Sequence, residues 1–219
     1  MDGYKFRMEI VYSTILPMTN ESLITYLKET GAIRTAAVED AFRAIDRARF
    51  VPEKAGDNAY LDTALPIGEG QTISQPTVVA LCLEWLSVRP GDRVLDVGSG
   101  SGWTMALLAR LVGPTGEVIG MERIPELVSF GSANLAKYDY PHAHIEMAGQ
   151  ELGKREAAPY DRILVSAAAE EIPDVLKAQL ADGGRMVIPV RNAICVVERV
   201  GDQFKTACHE GFVFVPLIT

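Results

Sequence analysis

Three alternating glycines, Gly98, Gly100 and Gly102, separate the apolar run Arg93-Val94-Leu95-Asp96-Val97 from a helical stretch that starts at Trp103. A glycine turn between a strand and a helix constrains this chain more than any other feature. It lets the backbone turn tightly and lets a ligand approach with no Cβ in the way. In open α/β sheets the ligand crevice lies at such carboxyl ends of strands. Periodicity around the turn predicts a strand over 93–97, a helix over 103–112, a strand over 117–121 and a helix over 125–137. Strands over 144–147 and 160–166, a helix over 172–180, and strands over 184–189, 193–200 and 211–216 follow. This alternation predicts a doubly wound, Rossmann-like α/β fold: a mostly parallel sheet with helices on both faces. No helix separates the last strands, so the sheet should end antiparallel.

Upstream, Asn20 reads as the N-cap of a helix over 20–30 with Leu23, Ile24 and Leu27 on one face, ended by Gly31. A second helix is expected over 35–45, with Val38, Ala41, Phe42 and Ile45 buried, and a third over 77–86. Residues 50–70 are rich in Pro, Gly, Asp and Asn and read as an ordered strap. Residues 1–17 are irregular and read as an arm or a short strand. With 219 residues the chain has the length of one large domain. The expected organisation is an N-terminal elaboration over 1–75 and a cofactor-binding core over 76–219.

The net charge of -8 argues against a dedicated nucleic-acid binder. No apolar stretch of about 18 residues occurs, and no signal peptide precedes the first helix. Cys82, Cys195 and Cys208 have no metal-site or framework spacing, so three reduced thiols in a cytoplasmic protein are expected. His142, His144 and His209 are scattered and suggest no metal. Glu170-Glu171 reads as a solvated helix start. Phe50, Phe212 and Phe214 read as core or cleft wall.

The glycine spacing separates two ligand classes. A dinucleotide fingerprint would place its third glycine at position 103, where this chain has Trp103. A GxGxG loop behind an acidic residue suits a nucleoside cofactor without phosphates, whose amino-acid tail crosses the loop. Asp96 is placed to meet the amino group of such a tail. Glu122 ends the next strand, 24 residues beyond Gly98, where a carboxylate can accept from both ribose hydroxyls. The alternatives are a solvated strand-end carboxylate and an ordinary tight turn.

Beyond the loop, Gly70-Gln71-Thr72-Ile73-Ser74-Gln75-Pro76 is the most distinctive segment of the chain. With Arg49-Phe50-Val51-Pro52-Glu53, Tyr60-Leu61-Asp62, Leu65-Pro66-Ile67-Gly68, Glu122-Arg123-Ile124-Pro125, Pro159-Tyr160-Asp161, Gly183-Gly184-Arg185-Met186 and Phe214-Val215-Pro216-Leu217, it resembles the protein-L-isoaspartate O-methyltransferase family over nearly its whole length. The resemblance implies transfer of a methyl group from S-adenosylmethionine to the α-carboxyl of L-isoaspartyl residues in damaged proteins, releasing S-adenosylhomocysteine. By position it makes Ser74 the active-site hydroxyl. It puts Ile73, Asp96, Gly98, Ser99, Gly100, Gly102, Glu122, Arg123, Gly149 and Gln150 on the cofactor, and Gln71, Thr72 and Pro76 on the peptide side. It implies a monomer acting on isoaspartyl proteins or peptides, without nucleic acid, membrane or metal. Three positions depart from the family pattern: Ala148-Gly149-Gln150 replaces Gly-Asp-Gly, Trp103 replaces a Tyr, and Glu170 replaces a Pro.

The residues alone leave other readings open. The same fold can methylate another carboxylate, or bind isoaspartyl groups without turnover, and Ser74 can be a plain helix cap before Pro76. An NAD-dependent oxidoreductase is disfavoured by Trp103.

Overall fold

The computed structural model describes residues 19–217, so the arm expected over 1–17 lies outside the described residues. Helices α1 (Asn20–Glu29), α2 (Ala36–Ala44) and α3 (Pro76–Leu86) precede the main sheet. Thr19, not Asn20, caps α1: its hydroxyl accepts from Ser22 N while Ser22 Oγ accepts from Thr19 N. Asn20 already lies in the helix, and its side chain reaches across to donate to the Phe42 carbonyl. Buried Glu84 on α3 accepts from the Arg34 and Thr35 amides, which ties α3 to the start of α2.

The strap contains two short 3-10 turns, Arg47–Phe50 and Glu53–Tyr60, and ends in a hairpin of β1 (Leu65–Gly68) and β2 (Gln71–Ile73). The hairpin was not legible because its nine residues, 65–73, carry three glycine or proline breaks, Pro66, Gly68 and Gly70. From there the α/β core follows: β3 (Arg93–Val97), α4 (Trp103–Val112), β4 (Glu117–Glu122), α5 (Pro125–Leu135), β5 (Ala143–Met147), β6 (Tyr160–Val165), α6 (Asp174–Lys177), β7 (Leu180–Val190), β8 (Ala193–Val200) and β9 (Gln203–Glu210). The seven-stranded sheet has the order β5-β4-β3-β6-β7-β8-β9, parallel from β5 to β7 and antiparallel at β8 and β9. The expected Rossmann-like, mostly parallel sheet with an antiparallel end is therefore present.

The two faces are covered unequally. Val94, Val118, Leu164, Val187 and Ile194 bury against residues of α1 to α5. Their neighbours Leu95, Val97, Ile119, Ile163 and Met186 face a second core closed by short α6 and by loop residues such as Leu152 and Ile172. Period-two alternation puts these sets on opposite faces. The helix expected over 172–180 shrinks to four residues because Pro173 caps it and β7 starts at Leu180. Glu170-Glu171 accordingly lies ahead of that helix rather than on its first turn.

The last strand is also displaced from expectation. The chain turns back at Gly201-Asp202, and β9 runs over Gln203–Glu210 with all eight residues exposed. No buried residue marks such a strand. Residues 211–217 instead form an extended segment that bonds to Ala168 through Val215 O and Leu217 N. Register places Cys195 opposite Cys208, and the two form a disulfide, which overturns the expectation of three free thiols. Only Cys82 is free among the three, and it is buried. Among the described residues no helix is long and apolar enough to cross a membrane.

Candidate active site

After β3 the chain folds back on β4: the Gly98 and Ser99 amides both donate to the Met121 carbonyl, at 2.8 and 3.3 Å. Gly102 sits in the left-handed region at φ 82° and opens α4. A Cβ there would stand 2.7 Å from Gly131 O, and a Cβ on Gly131 would stand 2.6 Å from Gly100 O. The third glycine therefore serves helix packing: two glycines facing each other let α5 press against the loop.

Glu122 is buried at the end of β4 and organises the loop from the other side. Its Oε2 accepts from Gly100 N at 2.8 Å; its Oε1 accepts from Arg123 N at 2.7 Å and Ile124 N at 3.0 Å. A carboxylate has about four acceptor sites. Three are used on the protein itself, so Oε2 keeps one for a ligand hydroxyl, where the sequence suggested room for two. Asp96 lies fully buried beneath the loop. Its Oδ2 accepts from Thr104 Oγ1 at 2.9 Å, and its Oδ1 has no partner among the described residues. Burial pushes its carboxyl up to about 7.

Above this floor lies a cleft of about 970 Å³, open mouth included. Gly98, Ser99, Gly100, Glu122 and Arg123 line its floor, and Gly149 and Gln150 line one end. Gln71, Thr72, Ile73 and Ser74 line the opposite wall, brought there by the β1–β2 hairpin. Three expected residues stay outside the lining: Asp96 beneath the loop, Gly102 against Gly131, and Pro76 buried in the first turn of α3. Several lining residues were not foreseen. Ile67 leans over the loop, with its Cδ1 3.4 Å from where a Gly100 Cβ would be. Leu152-Gly153 and the segment 215–217 complete the walls. Their signal was hidden, since 215 and 216 were expected to end a strand over 211–216. Among the described residues no group of three or more His, Cys, Asp and Glu could hold a metal ion.

Ser74 is not a helix cap. Gln75 occupies the cap position of α3 with no side-chain bond to the helix, and the carboxylate of Asp62 takes the role instead. Asp62 Oδ1 accepts from Thr77 N at 2.8 Å; its Oδ2 accepts from Thr77 Oγ1 at 2.8 Å and Gln75 Nε2 at 3.0 Å. Ser74 lines the cleft, and its hydroxyl has no hydrogen-bond partner among the described residues.

A family model described as protein-L-isoaspartate(D-aspartate) O-methyltransferase matches residues 18–219. A protein-L-isoaspartate O-methyltransferase of Methanopyrus kandleri is 46% identical over 204 residues, covering 90% of each chain. One from Anaeromyxobacter dehalogenans is 49% identical over 186 residues, covering 82% of this chain and 87% of its own. A crystal structure assigned to the same enzyme from Plasmodium falciparum, in complex with S-adenosyl-L-homocysteine, superposes with a TM-score of 0.80 at 28% identity. That match covers 91% of this chain and 98% of the other.

Proposed function

Because the chain belongs to the protein-L-isoaspartate(D-aspartate) O-methyltransferase family, we propose that its cleft transfers a methyl group from S-adenosylmethionine to the α-carboxyl of L-isoaspartyl residues in proteins or peptides. The residues fit that cofactor. Oε2 of Glu122 has one acceptor site left for a ribose hydroxyl, and Gly98 and Gly100 present backbone without a Cβ to the floor. Asp96 keeps a buried, unpartnered oxygen under the loop, suited to the ammonium of an amino-acid tail. Trp103 stands where a dinucleotide fingerprint needs its third glycine, which disfavours a dinucleotide. Gly149 and Gln150 line the end assigned to adenine, with Glu151 beside them.

The cofactor supplies a methyl group already carried on a positive sulfur. A substrate carboxyl with an ordinary pKa near 4 is ionised at neutral pH, so no base is required. The chain's work is alignment: an oriented pair of reactants gains several kcal/mol over a random encounter. Negative charge leaves the substrate carboxylate as the new O–C bond forms. A strong cation bonded directly to that carboxylate would stabilise the starting state more than the transition state. A neutral hydroxyl donor orients the carboxylate without that cost, and Ser74 offers one. Gln71 and Thr72 on the same wall are suited to the peptide backbone beside it, and Ile73 to the face above the cofactor.

The observation that carries this reading is Ser74 itself, which lines the cleft and is relieved of capping by Asp62. We further take the chain to act as one domain and as a monomer, with the hairpin side serving the substrate. The net charge of -8 supports a protein substrate over nucleic acid. Ser74→Ala tests the assignment. We expect kcat on an isoaspartyl peptide to fall about tenfold or more, with S-adenosylhomocysteine affinity near that of the parent. A variant with parental kcat removes Ser74 from the mechanism.

A further inference from the structure

Among the described residues Arg47 is the second-largest fully buried side chain, with 0% of its surface exposed. Its Nη1 donates to Ala59 O at 2.5 Å and grazes Leu61 O at 3.5 Å. Its Nη2 donates to Thr63 O at 2.9 Å and to Ser74 O at 3.1 Å. The guanidinium also lies 5.3 Å from the centre of the Trp103 ring, on the first turn of α4. Among the described residues it bonds to no carboxylate. A cation placed so is costly, and an apolar side chain would fill the space more cheaply. Burial lowers the guanidinium to about 10, with Asp62 the nearby charge that opposes the shift. What a planar fork can do, here through its two Nη groups while Nε has no partner among the described residues, is join three separate segments at fixed angles. The segments joined are the strap over 59–63, the carbonyl of Ser74, and the indole behind the glycine loop.

Asp62 grips the same stretch from the opposite end, through Gln75 and both polar groups of Thr77. Resting on the carboxyl-methylation reading above, we propose that Arg47 and Asp62 form a two-sided clamp that positions Ser74 for methyl transfer. The clamp holds the 74–77 backbone and does not touch the substrate. Arg47 takes the Ser74 carbonyl and Asp62 takes the cap, so the Ser74 side chain is fixed while its hydroxyl stays free. Arg47 is fully buried and does not line the cleft, so its cation orients Ser74 through the backbone without pairing to a carboxylate bound there. A misplacement of about 1 Å at a site like this can cost about a hundredfold in rate.

The test compares Arg47→Met, Arg47→Lys and Asp62→Asn with the parent chain, using an isoaspartyl peptide and labelled S-adenosylmethionine. S-adenosylhomocysteine affinity is measured on the same samples. The clamp predicts that Arg47→Met and Asp62→Asn lower kcat about tenfold or more while cofactor affinity stays close to parental. Arg47→Lys should fall between, since an ammonium can hold the Ser74 carbonyl but not all its partners. Folded variants with parental kcat and peptide KM overturn the clamp. So do variants whose peptide and cofactor constants decline together, which is the signature of lost fold alone. Should Arg47→Met not fold, Asp62→Asn decides by the same split. A parent chain silent on the peptide overturns the methylation reading instead. The clamp is then judged by amide exchange over 74–79 in Asp62→Asn. Faster exchange there with an unchanged glycine loop supports the clamp, and equal protection overturns it.

Discussion

Gly131 sits inside α5, where helix propensity alone predicts that alanine would stabilise by about 1 kcal/mol. The packing predicts the opposite. A Cβ at this position would stand 2.6 Å from Gly100 O and 2.9 Å from Ile145 Cδ1. The isoleucine tip can rotate, but the carbonyl belongs to the loop that Glu122 holds through Gly100 N. Overpacking of a tight contact costs about 1–3 kcal/mol, and backbone contacts fall at the upper end. The net expectation for Gly131→Ala is a loss of about 1–2 kcal/mol. In a chain of this size that lowers Tm by roughly 2–8 °C. Relief of the clash moves Gly100 upward into the cleft floor, so S-adenosylhomocysteine should bind about tenfold more weakly, equivalent to about 1.4 kcal/mol. Thermal unfolding and calorimetric titration read the two effects separately. A more stable variant with unchanged affinity would refute the claim that α5 and the loop meet through paired glycines.

Glu122→Gln should weaken S-adenosylhomocysteine binding by about tenfold or more, because an amide N–H would then face backbone donors that now give charge-assisted bonds; unchanged affinity by calorimetry would contradict the ribose assignment. Asp96 has its folded pKa raised to about 7, above its unfolded value, so the native state binds the extra proton. Its contribution to stability is therefore present below about pH 4 and lost as the pH rises toward 7. Asp96→Asn should flatten that decline, and parallel stability–pH curves for the two proteins would show that the carboxyl titrates normally. The disulfide spans 13 positions, so Cys208→Ser should cost about 2–3 kcal/mol in urea unfolding without reductant, a difference that reductant should erase. Equal midpoints without reductant would mean the two sulfurs are not joined in solution.

The parts of the molecule legible in sequence were those where one chemical need fixes several residues at once. The glycine loop, Glu122 and the strands around them were read to within one or two residues, because buried parallel strands are continuous apolar runs. The hairpin over 65–73 and the strand β9 were not. The first buries one residue on each strand; the second buries none, so neither carries the periodicity that marks a strand. Missing β9 also hid the disulfide, since Cys195 and Cys208 become neighbours only through the β8–β9 register. The substrate wall was found through its motif, yet the role of Asp62 as the cap of α3 was invisible. It acts 15 residues from Thr77, across a strap with no repeating pattern. Arg47 escaped for a similar reason: its partners are backbone carbonyls, which no residue type announces.

The central claim is that this cleft methylates an isoaspartyl carboxylate. It is tested most directly with purified protein, radiolabelled S-adenosylmethionine and two peptides that differ only in L-isoaspartate against L-aspartate. Base-labile label on the isoaspartyl peptide alone is the result predicted here. Label on neither peptide, with S-adenosylhomocysteine still bound, would contradict the claim and leave the cleft as a cofactor site for a different substrate.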